Sequence, residues 1–149
     1  INEYFKPAGF IATEYDESLV EIAQSKNKDS NVHVEAGNAA DMRFADNEFD
    51  AVIGLSVIHH IPNWEDSLNE LQRVLKPGGL LIIKELSIDT FETPFGRIAR
   101  RFVEHPYDDM FGKNEFLDYL QQKGLKILVT RPHSMLGLLT DFYLVAQKE

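Results

Sequence analysis

The sequence contains no cysteine. This excludes a disulfide framework, a thiolate-held zinc or iron–sulfur centre and a cysteine nucleophile. It also lacks any apolar run approaching the roughly 18 residues of a membrane-crossing helix, because Gly, Lys, Glu or His interrupts each run early. The opening residues carry no secretory pattern, so a soluble cytoplasmic domain is the expectation. Basic residues are in the minority, 15 Lys and Arg against 24 Asp and Glu, for a net charge of −9. Such a balance argues against a nucleic-acid backbone or an anionic membrane as the main partner. Repeats, low-complexity tracts and linkers are missing as well.

What is present fits one domain: 149 residues, 44% of them hydrophobic. A chain of this size buries roughly 70% of its extended surface, enough for a core without staples. Short apolar runs alternate with helical patterns. Phe10-Ile11-Ala12-Thr13 reads as a strand. Asp16 then caps a helix with Leu19, Ile22 and Ala23 on one face, ending near Lys26. Val32 to Glu35 alternates like a strand, and the apolar stretch from Phe49 to Ile58 suits a strand covered on both faces. Pro62-Asn63 opens a helix with Trp64, Leu68, Leu71, Val74 and Leu75 at spacings of three and four, stopped by Lys76-Pro77-Gly78-Gly79. Leu80 to Ile83 is the next strand. Strand–helix alternation of this kind predicts an α/β fold, a doubly wound and mostly parallel sheet wrapped by helices. The last third differs: Asn114 caps a helix closed by Gly124, and Leu125 to Thr130 with Phe142 to Ala146 predict an antiparallel pair at the sheet edge. Arg97, Arg100 and Arg101 with Ile98 and Phe102 suggest a further helix with a basic side.

In such a sheet, ligands bind outside the carboxyl ends of the strands, so the residues just after each strand carry the chemistry. After the first comes Glu14-Tyr15-Asp16. An acid there can accept hydrogen bonds from ribose hydroxyls, or be a solvated acid beside a helix cap. Tyr15 can pack on a purine or cover the sheet edge. After the second come Asn38 and Ala39. Asn38 offers donor and acceptor to a base edge or forms an Asx turn, and Ala39 permits close backbone approach. After the third come Ser56 and, beyond it, His59 and His60. Adjacent histidines on extended backbone point to opposite sides, and no cluster at ligand spacing accompanies them, so no metal is expected. One imidazole facing a substrate as base or positioning group competes with a hydrogen-bonded structural role.

Taken in order, these segments resemble the class I S-adenosylmethionine-dependent methyltransferases of the small-molecule type. Gly37-Asn38-Ala39-Ala40-Asp41-Met42-Arg43-Phe44-Ala45-Asp46-Asn47-Glu48-Phe49-Asp50-Ala51-Val52 resembles that family's motif around its third and fourth strands. Leu71-Gln72-Arg73-Val74-Leu75-Lys76-Pro77-Gly78-Gly79-Leu80-Leu81 resembles its helix and turn into the fifth, and Phe111 to Leu117 resembles the helix before the sixth. The match runs from about Phe10 to the C-terminus.

The resemblance implies S-adenosyl-L-methionine as cofactor and a small-molecule acceptor. It places Glu14 where the family's acid binds the ribose hydroxyls and Tyr15 where a side chain lies against adenine. Asn38 and Ala39 fall where the adenine edge is read, an Asn-Ala pair similar to that of ubiquinone- and menaquinone-biosynthesis methyltransferases. Ser56 falls near the methionine part of the cofactor, and His59 and His60 where a loop faces the acceptor. Residues 88–112, with Phe91, Phe95, Phe102, Tyr107 and Phe111, are expected to form a substrate-side lid, or simply to pack onto the sheet. One departure is large: no closely spaced glycine cluster precedes Glu14. The chain opens on Ile1, and residues 1–8 read as the end of the helix that follows the family's glycine-rich loop. The expectation is therefore a single methyltransferase domain, residues 1–149, without its N-terminal strand and loop, or with that strand lent by another chain. The rival readings are a nicotinamide oxidoreductase, which needs a glycine loop of its own, and a non-catalytic methyltransferase-fold relic or fragment that serves as a binding or scaffold domain.

Overall fold

A computed structural model describes residues 7–135 and 139–149. The order is β1 (Phe10–Glu14), α1 (Glu17–Lys26), β2 (Val32–Ala36), β3 (Phe49–Leu55), a single 3-10 turn (Ile58–His60), α2 (Trp64–Val74), β4 (Leu75–Leu86), α3 (Ile88–Glu92), α4 (Pro94–Ala99), α5 (Lys113–Gln122), β5 (Leu125–Met135) and β6 (Leu139–Lys148). The architecture is the Rossmann-like α/β one, but its strands form two sheets. β1 and β2 pair in parallel, and the second sheet runs β3-β4-β6-β5. In the second sheet β3 lies parallel to β4, while β6 lies antiparallel to both β4 and β5. Most of residues 1–8, expected as a helix end, lies outside the described residues.

The core is made by α2, α5 and the larger sheet. Trp64, Leu68, Leu71 and Val74 recur every three or four residues and are buried together on one side of α2. Trp64, Leu68 and Leu71 join Phe116 and Leu120 of α5, Leu81 and Ile83 of β4, and Phe142, Leu144 and Ala146 of β6 in one core. The C-terminal strand also closes α2: Lys148 Nζ donates to the carbonyls of Gln72 and Leu75, each at 2.8 Å. A cation there satisfies orphan carbonyls and complements the helix dipole.

Several local expectations change. Lys76-Pro77-Gly78-Gly79 stops α2 but is no separate loop; β4 begins at Leu75, opposite Phe49, and the register jumps so that Ala51 faces Leu80. Gly78, at φ 79°, permits the excursion. Asn114 lies inside α5, whose N-cap is Gly112, with the Glu115 carboxylate accepting the Gly112 N–H. β3 is not covered on both faces, since Ala51 and Leu55 are exposed. In α1 only Val20 is buried, and Leu19 and Ile22 are each 48% exposed. These uncovered apolar groups belong to the elements nearest the division between the sheets. The region 88–112 holds two short helices, with Phe91 and Phe111 buried and Phe102 83% exposed.

Candidate active site

The carboxyl ends of β1, β2 and β3 converge on one cavity of about 460 Å³, within the range that small-molecule sites occupy. Glu14 and Tyr15 line it from β1, Asn38 and Ala39 from β2, and Ser56 and His60 from the segment after β3. Thr13, Gly37, Val57, Ile61, Pro62 and Asn63 complete the wall.

Local geometry sets each of these groups. Glu14 Oε1 accepts the backbone N–H groups of Tyr15 (2.8 Å) and Asp16 (3.2 Å), which fixes the carboxylate at the strand end. Tyr15 is 79% exposed and presents its ring beside the cavity. Asp16 caps α1, accepting from Ser18 N (2.8 Å) and Ser18 Oγ (2.6 Å). The Ser18 hydroxyl and then its N–H hold the Asp16 carboxyl below the ordinary carboxylate value. Asn38 Oδ1 accepts the Ala40 N–H at 2.9 Å, so the Asx turn forms and commits only the carbonyl oxygen.

Two backbone features belong to this cavity. The Gly37 N–H donates to the Glu14 carbonyl at 2.9 Å, tying the two strand ends together. A Cβ on Gly37 would sit 3.0 Å from Thr13 Cβ, so the absent side chain is what lets the strands close here. Ser56 has φ 55°, the left-handed region that non-glycine residues seldom enter, and its N–H donates to the Lys84 carbonyl at 2.7 Å. The β2–β3 loop is held from below by Arg73. Its guanidinium donates to both Glu70 oxygens (2.7 and 2.8 Å), to Asp46 Oδ1 (2.7 Å) and to the carbonyls of Phe44 (2.8 Å) and Met42 (3.0 Å).

The two sequence-selected histidines stand on a 3-10 turn rather than on extended backbone, so their rings do not point to opposite sides but lie 4.0 Å apart, and they differ in exposure. His60 is exposed and lines the cavity. His59 is 3% exposed and does not line it. Its partner is Glu85, wholly buried in β4, at 2.5 Å from His59 Nδ1 to Oε2. The other Glu85 oxygen accepts the N–H groups of Val57 (2.7 Å) and Ile58 (2.9 Å). A carboxylate engaged as an acceptor by two backbone N–H groups takes a third hydrogen bond from His59 Nδ1–H, which commits that nitrogen and leaves Nε2 as the other face of the ring. Sequence reading missed Glu85 and also His105, whose ring lies 5.3 Å from that of His59 and 4.9 Å from that of His60. Burial first, then the imidazoles of His59 and His105, hold His60 below the ordinary histidine value; burial and then His59 do the same to His105. Glu85 had a legible signal. It follows Leu81 and Ile83 in the alternation of β4 and occupies an inward-facing position. His105 had none.

Comparison with known proteins gives the chain's family and fold. A family model described as "Methyltransferase domain" matches residues 2–83. The demethylmenaquinone methyltransferase of Staphylococcus carnosus is 35% identical over 125 residues, covering 79% of this chain and 51% of the relative. That of Staphylococcus saprophyticus is 34% identical over 119 residues, covering 75% and 50%. The chain thus spans about half the length of these curated relatives. Among solved structures, an S-adenosylmethionine-dependent methyltransferase from Methanosarcina mazei superposes with a TM-score of 0.76 at 16% identity, covering 93% of this chain and 81% of that one. Another from Thermotoga maritima gives 0.73 at 23% identity, covering 94% and 73%. At such identities the likeness speaks for the fold.

Proposed function

The chain belongs to the class I S-adenosylmethionine-dependent methyltransferase family, and from that premise we propose that the cavity at the strand ends holds the cofactor and that the methyl group passes to a small-molecule acceptor. One observation carries the reading: Glu14, Tyr15, Asn38, Ala39 and Ser56, spread over more than 40 residues of sequence, line a single cavity. Its donor set suits a nucleoside. Glu14 offers a carboxylate to a pair of ribose hydroxyls, Tyr15 a ring face, Asn38 an uncommitted amide group, and Ala39 an unobstructed backbone.

When bound, S-adenosylmethionine supplies a methyl group activated by a sulfonium sulfur. The chain's own residues bind and orient. Glu14 and Asn38 fix the nucleoside end, and Ser56 meets the amino-acid end. His60 stands at the acceptor side with His59 held behind it by Glu85. Residues 88–112, expected as a substrate-side lid, approach this side through His105, whose ring lies 4.9 Å from that of His60. The relatives' names support a quinone-class acceptor resembling demethylmenaquinone. The net charge of −9 supports a metabolite over a nucleic acid. Among the described residues, no helix is long and apolar enough to cross a membrane.

A second reading, a methyltransferase-fold module that binds without turnover, is favoured by the division of the strands into two sheets. Calorimetric titration of S-adenosylhomocysteine into the chain and into Glu14→Ala tests both. Loss of a charge-assisted contact to two hydroxyls costs about 2 kcal/mol, or about thirtyfold in affinity. Equal affinities would overturn the role of Glu14. No binding to either protein would overturn the cofactor site itself. Binding without methyl transfer to demethylmenaquinone or a simpler quinol would favour the second reading.

A further inference from the structure

At the acceptor side of the cavity lies a histidine cluster whose third member, His105, has been given no part in methyl transfer. His59 and His60 come from the 3-10 turn, and His105 comes from the segment after α4, 45 residues later. One ligand atom of each of these imidazoles lies within 4.8 Å of the others. We propose that His59, His60 and His105 form a binding site for a divalent transition metal of zinc-like preference, with Glu85 as the acid that orients His59.

Four features converge on this assignment. Nitrogen-only ligands suit borderline metals such as zinc, and three histidines that leave a fourth position open are a known zinc arrangement. His59 is already oriented as a ligand needs, with Nδ1 engaged by a buried carboxylate at 2.5 Å and Nε2 left as the nitrogen for a metal. A carboxylate behind a liganding imidazole is the usual supporting contact, because it sets ring orientation and raises basicity. His105 Nδ1 is buried with no hydrogen-bond partner, a state that normally costs free energy and that a metal bond would relieve. The surroundings are also suitable: the His105 ring packs edge-on against Phe91 (5.4 Å) and Tyr107 (5.8 Å), walls that limit water on that side.

The required movement is modest. Nitrogens about 2.0–2.1 Å from a tetrahedral metal stand about 3.4 Å apart. His60 is exposed and His105 lies on an irregular segment, so both can turn inward, while His59 stays on Glu85. Because His60 also lines the cavity, a metal here would stand where the acceptor is expected, with its open position available to an acceptor oxygen. The site itself does not depend on the cofactor assignment.

The test uses the untagged chain stripped with chelator and titrated with zinc by calorimetry and with cobalt by visible absorption. The expected result is one metal per chain, with the d–d bands of tetrahedral cobalt. His105→Ala and His60→Ala should each abolish the bands, and Glu85→Gln should weaken binding about ten- to a hundredfold. Circular dichroism of each variant establishes that it is folded. Substoichiometric zinc, or cobalt spectra unchanged by His105→Ala and His60→Ala, would overturn the proposal. S-adenosylhomocysteine binding, measured on the same metal-free protein, reports separately on the cofactor site.

Discussion

Replacing Glu85 with leucine removes an acceptor that serves three donors at once. The Val57 N–H at 2.7 Å, the Ile58 N–H at 2.9 Å and His59 Nδ1–H at 2.5 Å would all lose their partner. A buried donor left unsatisfied costs about 1–3 kcal/mol. The Val57 N–H is only partly buried and can recruit water, so it sits at the low end, and the other two lie nearer the middle. Together the three losses come to about 4–5 kcal/mol, offset by about 1–2 kcal/mol for burying a leucine in place of a carboxylate. The net loss of about 3 kcal/mol is a large fraction of the stability of a domain. With a urea slope of about 2 kcal/mol/M, the midpoint falls by about 1.5 M. Glu85→Gln keeps an oxygen for the two backbone donors and turns its NH2 toward His59 in the opposite tautomer, at a cost of about 1 kcal/mol. Urea denaturation in chelator, followed by Trp64 fluorescence, measures both variants. A leucine variant within 1 kcal/mol of the parent would refute the reasoning, as would a glutamine variant as damaged as the leucine one.

Ser56→Gly should raise stability by about 1 kcal/mol by relieving left-handed backbone, whereas Ser56→Val should lower it; a destabilised glycine variant in thermal melts would contradict the backbone assignment. Gly37→Ala places a methyl against Thr13 and should cost about 1–2 kcal/mol while weakening nucleoside binding, both read by melting with and without S-adenosylhomocysteine. The Arg73 guanidinium, and to a lesser degree the Met42 N–H, hold the Glu70 carboxyl below its ordinary value of 4.5, against the opposing effect of burial. Its contribution is thus present above that pH and lost as pH falls through the depressed folded value, so Glu70→Gln should flatten the acid limb of a urea midpoint-against-pH series. An unchanged limb would remove Glu70 from the account.

Outside residues 88–112, where the basic-sided helix suggested through Phe102 gives way to α3 and to an α4 that ends at Ala99, the order of elements was legible from local signals: Asp16 caps α1, Gly124 ends α5, and apolar residues at spacings of three and four mark α2. Burial was less legible. Leu19 and Ile22 have the spacing of a core face, yet what lies opposite a face is a matter of tertiary partners that periodicity does not encode. Likewise β3 is apolar enough for a covered strand, but the sheet division leaves parts of it open. At the cavity, Glu14, Asn38 and Ser56 could be picked out because the carboxyl ends of β1, β2 and β3 meet on the same side. His105 lacked any such rule, since it reaches His59 and His60 through the packing of an irregular segment.

The two-sheet arrangement bears on how firmly the molecule holds together. Among the described residues, the main core draws none of its buried members from before Ile58, and β1, α1 and β2 contribute only Val20 and Val34 to the buried apolar set. Residues 7–36 should therefore open more readily than the rest of the described chain, exchanging their amide protons at lower free energy. Thr13, Glu14 and Tyr15 of the cavity wall belong to this looser unit and Gly37, Asn38 and Ala39 follow directly on it, while Ser56, Val57 and His60 to Asn63 stand on the firm one. A nucleoside seated between them would act as mortar: it would slow exchange and proteolysis throughout β1, α1 and β2 in proportion to its occupancy, while leaving α2 and β4 nearly untouched.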